Sequence, residues 1–178
     1  HPQADIVVSG EGETRMKLLL KSDWLPKSLS QIPQITYRDE KGKIIDTGGS
    51  FKEDVSLIPS PYQTKAIDLD DGEEHTVFIE TFRGCPFQCQ YCIWGDFDTK
   101  LNLFCLDQIL KDIEIIYNNP NVKVVYFTDA CIFYTRERAK IIFDKIASCK
   151  YKIPALMSLD ILIINEEVVE SLQKISIY

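Results

Sequence analysis

Apolar residues in the second half of the chain repeat one order three times, a β-branched run followed by an amphipathic segment. The runs at 77–82, 123–127 and 155–158 are strand-like. The apolar positions at helical spacing that follow them are Leu106, Ile109, Leu110, Ile113, Ile116 and Tyr117, then Ala139, Ile142, Phe143 and Ile146, and then Val168, Val169 and Leu172. Three successive strand–helix units predict a parallel sheet with right-handed crossovers.

Capping residues and the chain's last segment extend this pattern. Thr135 and Asn165 stand directly before the second and third amphipathic segments, where a helix N-cap is expected. The final residues, 175–178, are expected to open a fourth strand.

The first part of the chain has a different pattern. A β-branched run at 6–8 meets a turn containing Gly10 and Gly12, and an apolar helical segment begins near Met16. A strand, a glycine turn and a helix in this order are typical of the end of a doubly wound α/β domain. One strand and one helix cannot bury both faces of a sheet, so we expect more chain before residue 1 in the natural protein.

Between these parts, the sequence predicts a hairpin and a linker. The runs 35–38 and 43–45 flank a turn in which Gly42 supplies a positive φ. The segment 58–62 contains two prolines, which resist both helix and sheet pairing, so we expect an extended linker lying on a neighbouring surface. The boundary between the two parts is expected between about residue 50 and residue 75.

Composition narrows the class of protein. The 178 residues are 45% hydrophobic and 26% charged, which excludes a disordered chain. With 20 basic and 27 acidic residues the net charge is −7, which disfavours nucleic acid as a partner. No apolar run approaches the ~20 residues of a membrane span, and the start lacks the pattern of a signal peptide. Six cysteines, three of them clustered, favour a reducing, cytoplasmic compartment over a secreted disulfide scaffold.

The clustered cysteines are the strongest chemical signal. Cys85, Cys89 and Cys92 directly follow the first strand of the repeating part. Three thiolates on one loop can hold three irons of a four-iron cluster and leave the fourth iron open for another ligand. The alternative is a structural zinc site with Cys105 as a distant fourth ligand. The remaining cysteines, Cys105, Cys131 and Cys149, are expected to be small buried apolar residues.

The spacing Cys85-x-x-x-Cys89-x-x-Cys92, with an aromatic Tyr91 before the last cysteine and Arg83-Gly84 ahead, resembles the radical S-adenosylmethionine superfamily. This resemblance covers about residue 76 to the end. The order of segments 7–13, 32–45 and 58–62 resembles the passage from a cobalamin-binding domain into the barrel of the cobalamin-associated members of that superfamily.

The resemblance implies an α/β chain of three segments. Residues 1–31 would be the tail end of a Rossmann-like cobalamin-binding domain, 32–75 a β-hairpin and Pro-rich linker, and 76–178 the first three βα units of a partial TIM-like barrel. At ~31 residues per unit, six units need roughly 190 residues, whereas 76–178 supplies 103. We therefore expect about half of a barrel here.

The implied function is reductive cleavage of S-adenosylmethionine at a 4Fe–4S cluster, which gives a 5′-deoxyadenosyl radical. In the cobalamin-type members the corrin often delivers a methyl group to the resulting carbon radical. An electron donor such as flavodoxin or ferredoxin would be required, and the substrate is a small molecule or peptide that this sequence does not identify. Two alternatives stay open: a non-catalytic module stabilised by zinc or an iron–sulfur cluster, and an inactive truncated fragment.

Residue roles are carried over by position. Cys85, Cys89 and Cys92 match the cluster ligands, and Tyr91 occupies the place that meets the adenine. Asp129, at the end of the second strand, stands where the family holds the amino group of S-adenosylmethionine, although the Gly-Gly-Glu form of that site is absent. The other candidate cofactor-binding residues are Ser158, after the third strand, and Gly10 and Gly12 in the first turn.

Structural roles are the alternatives at these positions. In the structural alternative, Asp129 caps a turn or the next helix, Tyr91 is a core residue, Asp160 is a loop residue, and Gly10 and Gly12 form a tight turn with no ligand. The usual Asp-x-His-x-x-Gly motif of cobalamin domains is also absent, since the chain's histidines are His1 and His75. A cobalamin site is therefore expected to lie mostly outside this chain.

Overall fold

The computed structural model describes residues 3–50, 52–87, 89–92 and 100–177, and the chain divides into two compact units, 1–54 and 55–178. We call these unit 1 and unit 2.

Unit 1 is a three-stranded antiparallel sheet with two helices. Its elements in chain order are β1 (Ile6–Val8), α1 (Glu13–Lys21), α2 (Pro26–Leu29), β2 (Ile35–Arg38) and β3 (Ile44–Asp46). The strand order is β1-β2-β3, with Val7 opposite Thr36 and Tyr37 opposite Ile45. The buried side chains between the sheet and the helices are Leu19, Leu29, Ile32, Ile35 and Tyr37.

The predicted hairpin is confirmed, since β2 and β3 pair antiparallel and Gly42 has a φ of 77° in the turn between them. The first strand differs from the doubly wound pattern, because β1 pairs antiparallel with β2. That pairing joins the first helix and the hairpin in one unit. The origin of residues 1–31 in a Rossmann-like domain therefore stays a prediction.

In the described residues, unit 2 contains a parallel sheet, a two-stranded antiparallel ribbon and three α-helices. Its strands and α-helices in chain order are β4 (His75–Ile79), β5 (Phe82–Arg83), β6 (Asn102–Leu103), α3 (Leu106–Tyr117), β7 (Val122–Phe127), α4 (Arg136–Ser148), β8 (Ala155–Leu156) and α5 (Glu166–Gln173). The strand order is β4-β7-β8 with both pairs parallel, so the three predicted strand–helix units and the parallel sheet are confirmed. Ile177 makes a parallel bridge to Ala155 where a fourth strand was expected, and residue 178 lies outside the described residues.

The sheet of unit 2 has one covered face and one open face. Val77 and Ile79 on β4 and Val125 and Phe127 on β7 are buried in one core with the apolar faces of α3 and α4. On the opposite face, Phe78 and Tyr126 are exposed and stack with their ring centroids 5.6 Å apart. This alternation follows from the two-residue period of a strand.

The predicted helix caps are partly confirmed. Asn165 Oδ1 accepts a hydrogen bond from Val168 N–H at 3.0 Å and begins α5. Thr135 occupies the N-cap position of α4, but its side chain makes no capping hydrogen bond.

The Pro-rich segment 58–62 belongs to unit 2 and is held there by a buried carboxylate. Asp112 Oδ1 on α3 accepts hydrogen bonds from Ser60 Oγ at 2.6 Å and from Gln63 Nε2 at 2.7 Å. Tyr62 Oη donates to the Phe78 carbonyl at 2.5 Å, which ties the same segment to the edge of β4. The segment therefore packs against α3 and β4, as predicted. The prediction of an extended conformation is wrong from residue 61 onward, because residues 61–65 form turns in which Thr64 N–H donates to the Ser60 carbonyl at 3.1 Å. Val55–Leu57 forms one turn of 3-10 helix.

No helix in the described ranges combines the length and the apolar content that crossing a membrane requires.

Candidate functional site

The cysteine loop begins and ends on a two-stranded ribbon. After β4 the chain turns through Thr81 into β5 (Phe82–Arg83), and β5 pairs antiparallel with β6 (Asn102–Leu103). Residues 84–101 connect β5 to β6 and carry the three motif cysteines; we call this segment the cysteine loop, and the structure describes its residues 84–87, 89–92, 100 and 101. Gly84, at its start, has a φ of 96°, a conformation that L side chains rarely adopt. The loop therefore follows β4, which is the first strand of the parallel sheet.

The three motif cysteines differ in exposure. Cys85 is buried, Cys89 is exposed and Cys92 is half-buried, and all three are free thiols. Cys92 N–H donates to the Cys89 carbonyl at 2.9 Å, so these two residues share one turn. Three free thiols at this spacing suit a soft metal or an iron–sulfur cluster by their chemistry.

The described side chains do not form a metal site around the three motif cysteines. Within the described residues, no group of three or more His, Cys, Asp or Glu side chains is close enough to hold a metal ion. The roles of Cys85, Cys89 and Cys92 as ligands therefore stay predictions.

The other three cysteines separate into two groups. Cys131 and Cys149 are buried, as predicted, and burial raises the pKa of both thiols. The prediction for Cys105 is wrong, since this residue is exposed. The reason is its position at the N-cap of α3, where the chain leaves the ribbon before the first apolar helical residue.

Tyr91 is on the surface of the loop. Tyr91 is 92% exposed, so it is not part of the core of unit 2. Phe87, by contrast, packs edge-on against Tyr134 with ring centroids 5.9 Å apart. A contact between Tyr91 and an adenine stays a prediction.

Asp129 follows β7 and is 2% exposed. Its Oδ1 accepts three hydrogen bonds, from Thr81 N–H at 3.0 Å, Thr81 Oγ1 at 2.7 Å and Phe82 N–H at 2.8 Å. Its Oδ2 is buried and has no hydrogen-bond partner among the described residues. Burial raises the pKa of Asp129 to about 6, against the effect of the hydrogen bonds. One oxygen thus holds the turn before the cysteine loop, while the other is open to a donor.

Ser158 and Asp160 follow β8, the neighbour of β7. Ser158 is exposed, and its carbonyl accepts a hydrogen bond from Ile132 N–H at 3.4 Å, which brings it beside the chain that follows Asp129. Asp160 Oδ1 accepts from Leu162 N–H at 2.8 Å and caps a short 3-10 turn. Asp129 and Ser158 therefore lie at the same, carboxyl end of the parallel sheet, where barrel active sites form.

Gly10 and Gly12 lie in unit 1, before α1. Gly10 has a φ of 81°, a conformation that favours glycine. Gly12 is the N-cap of α1 with a φ of −102°, which any residue adopts. A tight turn accounts for Gly10, and the cofactor-binding role of both glycines stays a prediction.

Two features near the cysteine loop carried no signal in the sequence. Arg138 Nη2 on α4 donates to the carbonyls of Phe104 at 2.6 Å and Thr81 at 3.3 Å, although Thr81 is 57 positions away. Glu80 Oε2 accepts from Arg83 Nε at 3.0 Å, and both residues line a cleft of about 200 Å³ together with Tyr62, Phe104 and Asp112. Periodicity could not find them, since both features depend on contacts across the fold.

Comparison with known proteins gives relatives among methyltransferases, while no family model matches the chain. The chain is 28% identical over 143 residues to an uncharacterised methyltransferase of Pyrococcus horikoshii, covering 78% of this chain and 31% of the relative. It is 27% identical over 139 residues to the cobalamin-dependent radical SAM methyltransferase TokK of Streptomyces tokunonensis, covering 73% and 20%. It is 28% identical over 125 residues to the 2-(S-pantetheinyl)-carbapenam-3-carboxylate methyltransferase of Streptantibioticus cattleyicolor, covering 64% and 18%.

Solved structures that share this fold include the cobalamin-dependent S-adenosylmethionine radical enzyme OxsB and the radical S-adenosylmethionine methyltransferase TsrM. OxsB with aqua-cobalamin and S-adenosylmethionine bound matches with a TM-score of 0.66 and 18% identity, over 95% of this chain and 25% of that one. TsrM from Kitasatospora setae with cobalamin and a 4Fe–4S cluster bound matches with a TM-score of 0.67 and 16% identity, over 97% and 37%. At these identities the likeness is one of fold.

These comparisons confirm the resemblance that the sequence predicts, to the cobalamin-associated radical S-adenosylmethionine enzymes. The mixed α/β fold with a parallel sheet matches theirs at a coarse level. The chain spans about a third or less of the length of the curated relatives that it matches.

Proposed function

We propose that this chain is the cluster-binding part of a cobalamin-associated radical S-adenosylmethionine enzyme of the methyltransferase type. The observation that carries the proposal is the three-cysteine loop, which leaves the first strand of the parallel sheet beside the buried Asp129. In this proposal Cys85, Cys89 and Cys92 hold a 4Fe–4S cluster. When bound, such a cluster supplies the one-electron reduction of S-adenosylmethionine that yields a 5′-deoxyadenosyl radical.

Asp129 would orient the cosubstrate in this proposal. Its Oδ2 is buried without a partner among the described residues, and an ammonium group can donate to such an oxygen. The ammonium would also supply the positive charge that favours the ionised carboxylate, whose pKa burial now raises to about 6. Ser158, at the end of the neighbouring strand, would line the same pocket.

Tyr91, on the cysteine loop, would bind the adenine of S-adenosylmethionine in this proposal. Because its ring is 92% exposed, it is free to stack on a planar group. The adenine of S-adenosylmethionine is such a group.

The finer architecture belongs to the same proposal. Unit 2 would be the first half of a TIM-like barrel, with the exposed Phe78 and Tyr126 on its inner face. Residues 1–31 would be the tail end of a cobalamin-binding domain, with Gly10 and Gly12 near the cobalamin, and 32–75 the connection to the barrel. The cobalamin site would lie mostly outside this chain, and flavodoxin or ferredoxin would supply the electron.

Anaerobic reconstitution of the full chain with iron and sulfide tests the proposal. We expect on the order of four irons and four acid-labile sulfides per chain, with the charge-transfer colour of a cluster. Cys85→Ala, Cys89→Ala and Cys92→Ala should each lose most of the iron. Cys105→Ala is the matched control, since this exposed thiol lies outside the motif, and it should load like the wild type.

A structural zinc site is the competing function, because free thiols on a turn also suit zinc. Metal analysis of aerobically purified protein separates the two. One zinc per chain without acid-labile sulfide, together with loss of that zinc when Cys85, Cys89 or Cys92 is substituted, would reject the radical-enzyme proposal. The chain would then be a module stabilised by zinc.

A further inference from the structure

The two ends of the cysteine loop meet at one point in unit 2. The chain enters the loop through Thr81 and Phe82 and leaves it at Phe104, and Phe104 N–H donates to the Thr81 carbonyl at 3.1 Å. The antiparallel pairing of β5 with β6 keeps the two ends of the loop side by side for two more residues. The base of the loop is therefore a defined structural feature, separate from the cysteines themselves.

Asp129 holds the entering end. All three hydrogen bonds to its Oδ1 come from Thr81 and Phe82, at 2.7–3.0 Å. The carboxylate is 2% exposed and belongs to the end of β7, 47 positions further along the chain. Hydrogen bonds to an ionised acceptor are about twice as strong as neutral ones.

Arg138 holds both ends from the side of α4. Its Nη2 donates to the Phe104 carbonyl at 2.6 Å and to the Thr81 carbonyl at 3.3 Å. Burial lowers the pKa of this guanidinium, and the negative charge of Asp129 acts in the opposite direction. The peptide groups at Thr81 are thus held on the N–H side by an anion and on the C=O side by a cation.

We propose that Asp129 and Arg138 are positioning residues that clamp the base of the cysteine loop, so that Cys85, Cys89 and Cys92 can assemble a cluster although neither residue is a ligand. The part of this proposal that concerns the cluster rests on the proposed function; the clamp itself does not. The physical reason is entropic. Three ligands on a flexible loop must be brought together at a cost in chain entropy, and a base that is already closed lowers that cost.

Amide hydrogen exchange in the metal-free full chain tests the clamp by itself. In Asp129→Ala we expect the amides of Thr81 and Phe82 to exchange at least tenfold faster than in the wild type. Asp129→Asn should restore most of the protection, because the amide oxygen can still accept from Thr81 and Phe82. Arg138→Met should speed exchange of the Phe104 amide at least threefold.

Matched controls are Asp144→Ala and Arg136→Met, which remove the same groups from exposed positions on α4 and should leave these amides unchanged. If Asp129→Ala fails to fold, Thr81→Val removes only the hydroxyl donor, and Thr76→Val on β4 is its control. Unchanged protection of Thr81 and Phe82 in folded Asp129→Ala, or in Thr81→Val where Asp129→Ala does not fold, would overturn the clamp.

Iron loading without S-adenosylmethionine tests the consequence for the cluster. Under limiting iron, Asp129→Ala and Arg138→Met should bind at least threefold less iron than the wild type, and Asp129→Asn should recover it. Equal loading of wild type and Asp129→Ala would overturn the positioning role. A wild type that binds no iron would reject the proposed function and this consequence together, while the exchange data would still decide the clamp.

Discussion

The two units each bury a carboxylate that anchors a distant segment, and the two carboxylates are satisfied differently. In unit 1, Glu53 Oε1 accepts from Arg15 Nη1 at 2.6 Å and from Thr14 N–H at 2.8 Å, and its Oε2 accepts from Thr14 Oγ1 at 2.6 Å. In unit 2, Asp129 takes all three of its hydrogen bonds on Oδ1, and Oδ2 has no partner in the described residues. Both carboxylates hold backbone from a position 39 or more residues away.

The difference between them indicates a difference in role. A buried carboxylate whose oxygens both meet donors, one of them a guanidinium, is a structural residue that also satisfies the first turn of α1. A buried carboxylate with one unused oxygen bears the cost of desolvation without full compensation. Such an incomplete arrangement is typical of a site that a ligand completes, and it lies at the carboxyl end of a parallel sheet.

Removing the Glu53 carboxylate, whose two oxygens both accept hydrogen bonds, should have the largest effect on stability. Glu53→Ala removes the Glu53 partner of the buried Arg15 ion pair, and the loss of one partner of a buried ion pair typically costs about 3–5 kcal/mol. We expect the amides of α1 to lose protection by that amount in hydrogen exchange of the full chain. Glu40→Ala, an exposed residue of the hairpin turn, is the control and should change protection by less than about 0.5 kcal/mol. If the amides of α1 kept full protection in Glu53→Ala, Glu53 would not have the structural role that distinguishes it here from Asp129.

The Asp129 carboxylate, which has one oxygen without a partner in the described residues, should make the stability of the protein depend on pH. Its folded pKa of about 6 lies above the usual 3.8, so the folded state binds more protons than the unfolded state between those values. Stability contributed by Asp129 is therefore greatest below about pH 4 and is lost as the pH rises through about 6, by about 3 kcal/mol in total.

Comparison with Asp129→Asn isolates this effect, because asparagine does not titrate. The free energy of unfolding, measured by urea titration from pH 4 to pH 7, should fall in the wild type relative to the variant. A parallel pH dependence of the two proteins would contradict the raised pKa. Added S-adenosylmethionine, if it binds at Oδ2 of the cluster-loaded chain, should flatten the wild-type dependence.

The smallest effect is expected where a carboxylate is exposed. Lys174 Nζ and Asp144 Oδ1 lie 2.7 Å apart, with both side chains about half exposed. Lys174→Met should change the free energy of unfolding by less than about 0.5 kcal/mol, and salt should remove even that. If Lys174→Met lowered the free energy of unfolding as much as Glu53→Ala does, burial would not determine how strongly these carboxylates stabilise the protein.

Much of unit 2 could be predicted from the sequence. The spacing of apolar residues at 77–79 and at 109–116 identifies a strand and a helix, because this spacing depends on which side chains meet the core. Unit 1 was harder to predict, because the run at 6–8 is a strand in either reading and only its partner decides whether the sheet is parallel or antiparallel.

The candidate site divides in the same way. The cysteine spacing and the position of Asp129 after a strand are visible in the residue order. The exposure of Cys105 and the contact of Arg138 with Thr81 are not, since they depend on how α3 and α4 sit against the ribbon.

The sequence by itself determined the hairpin, the three strand–helix units and the one segment that carries clustered thiols, because local periodicity and spacing are properties of neighbouring residues. Only the tertiary structure decided which oxygen of Asp129 is used, which is left over, and that Arg138 holds both ends of the cysteine loop. These facts arise from hydrogen bonds between residues 34 to 57 positions apart, and such pairings depend on the folded backbone as a whole.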